Sequence, residues 1–385
     1  MKKNINISKY ILSAHIVLIV LLLSSCKGSG KTSFAEEKGD TLRLRYAENL
    51  CIVKYSDYIC ATLRNPWDTL QTLHTYILVG KEDTLRTDLS QKGTVVRVPL
   101  DNALIFSSVH CGLLEELKAL NRVKGVCDLP YIRIPAIWEG CRENKIVDAG
   151  SSMNPDIEKI IDMDPDGILL SPFENSGGYG RIEKLNVPLI ECADYMETSA
   201  LGRAEWMRFY GLLFDKEAEA DSLFAALEKE YVGIRDQVKD LLPKPTVISE
   251  LKSAGAWYVP GGNSTMAKLF SDAGAHYIFS DTPQSGSVSL AFETVFDRAQ
   301  HADFWLIKYN QRTDKTYGEL KKDYAPYEGF DAFRHRRVYG CNTSRISYYE
   351  EVPFHPELLL KDLVNIFHPH VLKDYVPRYF TNLSE

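Results

Sequence analysis

Apolar positions along the chain fall into three successive regimes. From residue 41 to about 106, short runs rich in β-branched and aromatic residues alternate with polar turns. Residues 41–46, 51–63, 75–79, 95–100 and 103–106 read as strands, with Asn65-Pro66 and Lys81-Glu82-Asp83 as turns. The pattern then predicts helices over 110–120, 157–163 and 182–185, alternating with strands over 123–127, 168–170 and 188–192. Such alternation makes a mostly parallel sheet with helical crossovers. Between 215 and 242 there is neither proline nor a turn cluster, and Leu227, Tyr231, Ile234, Val238 and Leu241 recur at helical spacing. Asp215 is placed to cap this helix, Glu217 and Glu219 suit the positive end of its dipole, and Pro243 and Pro245 stop it. A helix of about 27 residues would span roughly 40 Å, long enough to join two domains. Beyond it a second α/β pattern begins, with strands over 246–251, 256–259, 304–309 and 337–340 and helices over 264–273, 292–298 and 356–367.

The chain therefore divides into an N-terminal lobe over 41–214, a connecting helix over 215–242 and a C-terminal lobe over 243–385. A weak internal repeat supports the division. Ile157-Glu158-Lys159-Ile160-Ile161-Asp162 precedes Asp166 and a strand, and Phe292-Glu293-Thr294-Val295-Phe296-Asp297 precedes Asp303 and a strand. Glu158 and Glu293 then stand at the starts of two equivalent helices.

The first residues change where the protein is expected to work. Lys2, Lys3 and Lys9 precede an apolar run over 16–23 that is too short to span a bilayer and ends in Leu23-Ser24-Ser25-Cys26. Residues 1–25 read as a signal peptide and Cys26 as a lipidated new N-terminus, which places the protein in the cell envelope, anchored to a membrane. Residues 26–40 read as a flexible tether. Gly28-Ser29-Gly30-Lys31-Thr32 lacks the preceding strand and first glycine of a phosphate-binding loop. Cleavage removes three lysines and no acid, taking the formal charge from −7 to −10. That balance argues against nucleic acid as a partner. Eight cysteines are scattered without C-x-x-C spacing, which speaks against structural zinc, and the seven left after lipidation include buried thiols. No H-E-x-x-H or G-x-S-x-G motif occurs, and His368-Pro369-His370 reads as a surface turn.

Further segments carry a family likeness. The stretches Ser107-Ser108-Val109-His110-Cys111-Gly112-Leu113-Leu114 and Asn154-Pro155-Asp156-Ile157-Glu158-Lys159-Ile160, the latter followed by Asp164-Pro165-Asp166-Gly167-Ile168, resemble the first cleft loop and the Pro-Asp strand segment of a known class. Together with the lipobox, the two lobes and the single long helix, they make the chain resemble substrate-binding lipoproteins of ABC importers, of the rigid-helix class that carries ferric siderophores, haem or cobalamin. The resemblance implies two Rossmann-like α/β lobes with a ligand cleft between them, no enzymatic activity and no resident cofactor or metal. It also implies a monomer that delivers its ligand to a membrane permease. By position, Glu158 and Glu293 would dock one on each half of that permease. The cleft should lie at strand C-terminal ends. Candidate ligand-binding residues there are Ser107, Ser108, Phe173, Glu174, Asn175 and Tyr179 on the first lobe and Trp257, Tyr258 and Tyr309 on the second, with Trp67 as a further aromatic. Aromatic faces with a few amides and hydroxyls suit a large flat chelate or macrocycle. The rival readings are a chelatase-like protein and a bare-metal binder of similar two-lobe fold.

Overall fold

The computed structural model of the chain describes residues 38–174 and 178–385. Cys26, the leader, nearly all of the tether and Asn175 lie outside them. Asp40–Glu385 is one compact unit.

It opens with a five-stranded sheet of β1 (Asp40–Leu42), β2 (Leu50–Lys54), β3 (Ile59–Arg64), β4 (Thr72–Gly80) and β5 (Thr94–Val98) in sequential order. All neighbours are antiparallel except β4 and β5. The strand expected over 51–63 is in fact a hairpin, because the chain reverses at 55–58, where Tyr55 N donates to Tyr58 O at 2.9 Å. The strand expected over 41–46 ends at Leu42. Beyond it the N–H groups of Arg45, Tyr46 and Ala47 turn instead to the fully buried carboxylate of Glu205, at 2.8–3.0 Å. One face of the sheet feeds Ile52, Ala61, Leu63, Tyr76 and Val96 into the main core; the other is covered by a small cluster of Tyr58, Ile77, Val79 and Leu89.

The first lobe is a parallel sheet of β6 (Ala103–Ile105), β7 (Val123–Val126), β8 (Val147–Asp148), β11 (Gly167–Leu170) and β12 (Leu189–Glu191), in the order β12-β11-β6-β7-β8. A small hairpin of β9 (Gly150–Ser151) and β10 (Asn154–Pro155) interrupts it. Every residue of β11 is buried, as expected for a parallel strand covered on both faces. Its helices are α1 (Ser108–Glu116), α2 (Pro135–Arg142) and α3 (Ile157–Met163), while residues 182–185 form only a 3₁₀ turn. Two helices absent from the sequence pattern follow, α4 (Ala200–Glu205) and α5 (Met207–Phe214). Both are buried almost all round, so neither shows a polar face. The long helix α6 runs Glu217–Val238, about 33 Å at 1.5 Å per residue. Asp215 does not cap it. Its backbone is left-handed (φ 56°), and it closes α5 instead.

The second lobe has β13 (Thr246–Ser249), β16 (His276–Tyr277), β18 (Phe304–Tyr309), β19 (Val338–Asn342) and β20 (Thr381–Asn382), in the order β16-β13-β18-β19-β20 with only β20 antiparallel. A separate antiparallel sheet holds β14 (Lys252–Ser253), β15 (Ala256–Pro260) and β17 (Ser287–Leu290). Its helices are α7 (Thr265–Asp272), α8 (Phe292–Ala299), α9 (Tyr317–Asp323), α10 (Asp331–Arg334), α11 (Tyr348–Glu351) and α12 (Pro356–Phe367). The buried stripe of α6 (Leu227, Tyr231, Ile234, Val238) belongs to the same core as α5 and α12, and that core continues through both lobes. The connection between the lobes is therefore packed side chain rather than a free hinge.

The sequence repeat proves to be architectural. Asp166 precedes β11 and accepts the N–H groups of Asp101 and Asn102 (2.8 and 3.1 Å) just ahead of neighbouring β6. Asp303 precedes β18 and accepts Thr246 N (2.8 Å) at the start of neighbouring β13. Each aspartate ties the entrance of one strand to the next in its own lobe.

A second seam joins the lobes through α1 and α11. At Gly112 a Cβ would lie 2.6 Å from Glu350 O, so only glycine permits this approach. Glu350, buried, accepts Arg133 N at 2.6 Å, and Arg133 also donates to Ser344 O.

Candidate ligand-binding cleft

The C-terminal ends of the first-lobe strands open onto a cavity of about 640 Å³. Phe106, Ser107 and Ser108 follow β6, Asp128 follows β7, Ser152 and Met153 sit in the β9–β10 turn, and Ser171 and Phe173 follow β11; Tyr179 and Tyr131 complete the wall. Ser107 caps α1, its hydroxyl accepting Val109 N at 3.3 Å. Asp128 has a left-handed backbone (φ 54°) and holds the β9–β10 turn by accepting Ser152 N (3.1 Å) and its hydroxyl. The rim is apolar and open to solvent, with Tyr131 72%, Met153 83% and Phe173 53% exposed.

Ser107, Ser171 and Phe173 also border an adjoining cavity of about 310 Å³, whose floor is polar. There Asp194, fully buried, accepts Tyr210 OH at 2.8 Å and Arg203 Nε at 3.0 Å, and lies 3.0 Å from His110 Nε2. Burial alone would raise the Asp194 pKa, but the hydrogen bond and charge of His110, with Arg203 and Tyr210, hold it down to about 2. Burial works to lower the His110 pKa, and Cys192 and Asp194 beside it outweigh that and raise it. The ring of His110 lies 6.5 Å from that of Phe354 in the second lobe.

Arg203 leads from this floor into a third cavity of about 210 Å³, which lies between the lobes. Its far side carries Thr265, Met266, Lys308, Tyr348 and Tyr349. Lys308 bonds Glu250 and sits 5.7 Å from the centre of the Tyr348 ring. Desolvation opposes its charge, but Glu250 prevails and raises its pKa. Each lobe thus presents one cation, each fixed by a carboxylate of its own lobe: Arg203 by Asp194 and Lys308 by Glu250. Arg203 uses Nε for that bond and Lys308 one of its three donors, so among the described residues both Arg203 NH₂ groups and the other Lys308 donors are left over. Among the described residues, no group of three or more His, Cys, Asp or Glu is arranged to hold a metal ion.

Comparison with known proteins agrees with this geometry. Residues 130–344 match the model of a family described as periplasmic binding protein. The chain belongs to the periplasmic binding protein family. The uncharacterized lipoprotein MJ0878 of Methanocaldococcus jannaschii is 28% identical over 365 residues, covering 89% of this chain and 86% of that protein. The petrobactin-binding protein YclQ of Bacillus subtilis is 27% identical over 168 residues, 43% of this chain and 50% of its own. Among solved structures, a periplasmic haem-binding protein from Pseudomonas aeruginosa superposes with a TM-score of 0.56 at 14% identity, covering 74% of this chain and 99% of that one. An Fe³⁺-hydroxamate transport protein from Saccharomonospora viridis gives 0.54 at 17%, covering 70% and 94%. The family is that of periplasmic binding proteins, and the fold has two α/β lobes around a cleft.

Of the residues singled out in the sequence of this binding protein, Ser107, Ser108, Phe173 and Tyr179 meet in the first-lobe cavity. Trp257 does not belong to the cleft. It is fully buried between Phe292, Trp305, Tyr327 and Phe330, and its indole N–H donates to Ser249 O at 3.0 Å. Tyr258 points to the opposite face of β15 and is half exposed. The Tyr309 ring packs on Gly340 while its hydroxyl accepts Lys315 N at 3.0 Å. Trp67 lies in the turn after β3, its N–H bonded to Asn65 Oδ1. Neither these residues nor exposed Glu174 border the three cavities. Glu158 and Glu293 are both exposed first-turn acids, of α3 and α8, with no ion-pair partner among the described residues. His368 is not on the surface as expected; it is buried against Gly274, 3.3 Å from its carbonyl.

The sequence reading missed Arg203, Lys308 and Asp194. Asp194 follows strand β12 as Ser107 follows β6, so the same rule reaches it. Lys308 is a charge inside an otherwise apolar strand, a signal that it must be paired.

Proposed function

We propose that this lipoprotein captures an anionic iron chelate, a ferric siderophore or haem, between its lobes and delivers it to an ABC permease. The observation that carries the reading is one cation per lobe lining the cavity between them, each with donors left over among the described residues, next to an open aromatic cavity. Aromatic faces hold a large flat or globular chelate, while the Arg203 fork and the Lys308 ammonium select carboxylate or catecholate oxygens. The names of the relatives and neighbours, petrobactin-, hydroxamate- and haem-related, support the ligand class, and the lipoprotein name of MJ0878 supports an anchor at Cys26. Glu158 and Glu293, exposed and without an ion-pair partner among the described residues, at the starts of equivalent helices of the two lobes, suit docking into basic pockets of a permease.

The test is a fluorescence titration with hemin, a ferric tris-catecholate, a ferric tris-hydroxamate and cyanocobalamin. Hemin or the anionic ferric chelate binds, and Arg203→Gln weakens it about tenfold or more, the worth of a charge-assisted contact. Binding of cyanocobalamin alone, or an affinity indifferent to Arg203, overturns the anionic reading.

A further inference from the structure

The N-terminal sheet is built into the wall of the cleft through three side chains. Tyr76 of β4 reaches the open edge of β12, where its hydroxyl donates to Leu189 O at 2.9 Å and accepts Glu191 N at 2.8 Å. These are the groups that the edge strand of a sheet leaves unpaired. The Glu191 side chain then stands between the two units. Its Oε1 accepts the hydroxyl of Tyr179, a wall residue of the 640 Å³ cavity, at 2.7 Å. Its Oε2 is buried without a hydrogen bond among the described residues, and His74 Nδ1, on the sheet, lies 3.3 Å away. His74 is itself fixed on two sides: its ring stacks on Tyr76 with centroids 4.4 Å apart, and its Nε2 lies 2.8 Å from Thr94 Oγ1 on β5. When Nε2 accepts from Thr94, Nδ1 carries the ring proton, and its 3.3 Å approach to Glu191 Oε2 is an electrostatic contact outside hydrogen-bond geometry.

We infer that His74 is a positioning residue for the ligand site: through Glu191 it fixes the hydroxyl of Tyr179 in the cavity wall, so the N-terminal sheet is part of the binding apparatus. A buried carboxylate with one unsatisfied oxygen would swing or hydrate if the imidazole were lost, and Tyr179 would follow its acceptor. Among the described residues, the Tyr179 main chain is held by Glu183 Oε1. The consequence for affinity rests on the ligand-capture reading above, whereas the placement of Tyr179 does not.

The experiment separates the two. The full chain is prepared with 3-fluorotyrosine at position 179, and its fluorine resonance is compared across His74→Leu, His74→Gln and Glu191→Gln. Leucine keeps bulk without a donor; glutamine can both accept from Thr94 and donate to Glu191. The resonance shifts and broadens in His74→Leu and Glu191→Gln and returns to the wild-type position in His74→Gln. With hemin as probe, His74→Leu weakens binding about tenfold, His74→Gln restores it, and in a Tyr179→Phe background the same change costs less than about twofold. A resonance unmoved by His74→Leu and Glu191→Gln overturns the inference, as does an equal affinity loss with and without the Tyr179 hydroxyl. If hemin binds none of the proteins while the fluorine resonance still follows His74, the positioning stands and the haem reading falls.

Discussion

Removing the Asp194 carboxylate should reveal how the cleft floor is held. Asp194 is almost fully buried and gathers Tyr210, Arg203 and His110 at 2.8–3.0 Å. Asp194→Ala leaves two cationic partners without their anion, and breaking such a buried pair costs about 3–5 kcal/mol. The unfolding entropy is about 2.1 cal/mol/K per residue, or roughly 0.7 kcal/mol/K for a unit of roughly 350 residues, so the melting temperature should fall by about 4–7 °C. The pH dependence gives a second reading. The folded-state pKa of Asp194 is held down to about 2 from 3.8, so its stabilisation is complete above pH 3.8 and is lost as pH falls through about 2. His110 is raised to about 10 from 6.5, so its share is complete below pH 6.5 and fades as pH rises towards 10. The gap between wild type and Asp194→Ala, measured by urea unfolding, should therefore be widest between about pH 4 and 6.5 and should narrow towards pH 2. A variant that melts with the wild type at pH 6, or a gap that widens on acidification, would refute the charge network.

Two other perturbations address the seam and the docking face. Gly112→Ala places a methyl group 2.6 Å from Glu350 O, an overpacking that should cost about 1–3 kcal/mol and lower the melting temperature by roughly 1.5–4 °C. An unchanged melt would show that the two lobes do not meet as tightly as described. Reversing Glu158 and Glu293 to Lys should abolish ligand-dependent stimulation of the permease ATPase and leave ligand affinity intact. A loss of affinity instead would place these residues at the ligand.

Much of the architecture was legible because it depends on local periodicity. Apolar runs followed by Ser, Gly or Asn marked the strand ends, and so Ser107, Ser108, Phe173 and Tyr179 came out together. The Glu158 and Glu293 repeat worked for the same reason, since each lobe uses Asp166 or Asp303 to tie adjacent strands. Trp257 and Tyr258 failed because successive side chains of a strand face opposite ways, so one had to enter the core. Helices α4 and α5 were hidden by their burial on nearly all sides, with Gly202 pressed to 2.7 Å (from its would-be Cβ) against Tyr46 O. The pairing of the cleft charges was harder to read. Asp194 and Lys308 each carried a local signal, but His110 and Asp194 stand 84 residues apart and Glu250 and Lys308 58 apart, so only the fold shows those partners.

Ligand held between the lobes on the Arg203 and Lys308 side chains should shield both lobes together. Hydrogen exchange of the protein with and without a saturating hemin or anionic ferric chelate tests this most directly. Protection is expected on both lobes at once, in the loops after β6 and β11 and in α4 on one side, and in β18 and α11 on the other. Protection confined to one lobe, or absent from both faces of the cleft while binding is saturated, would contradict it.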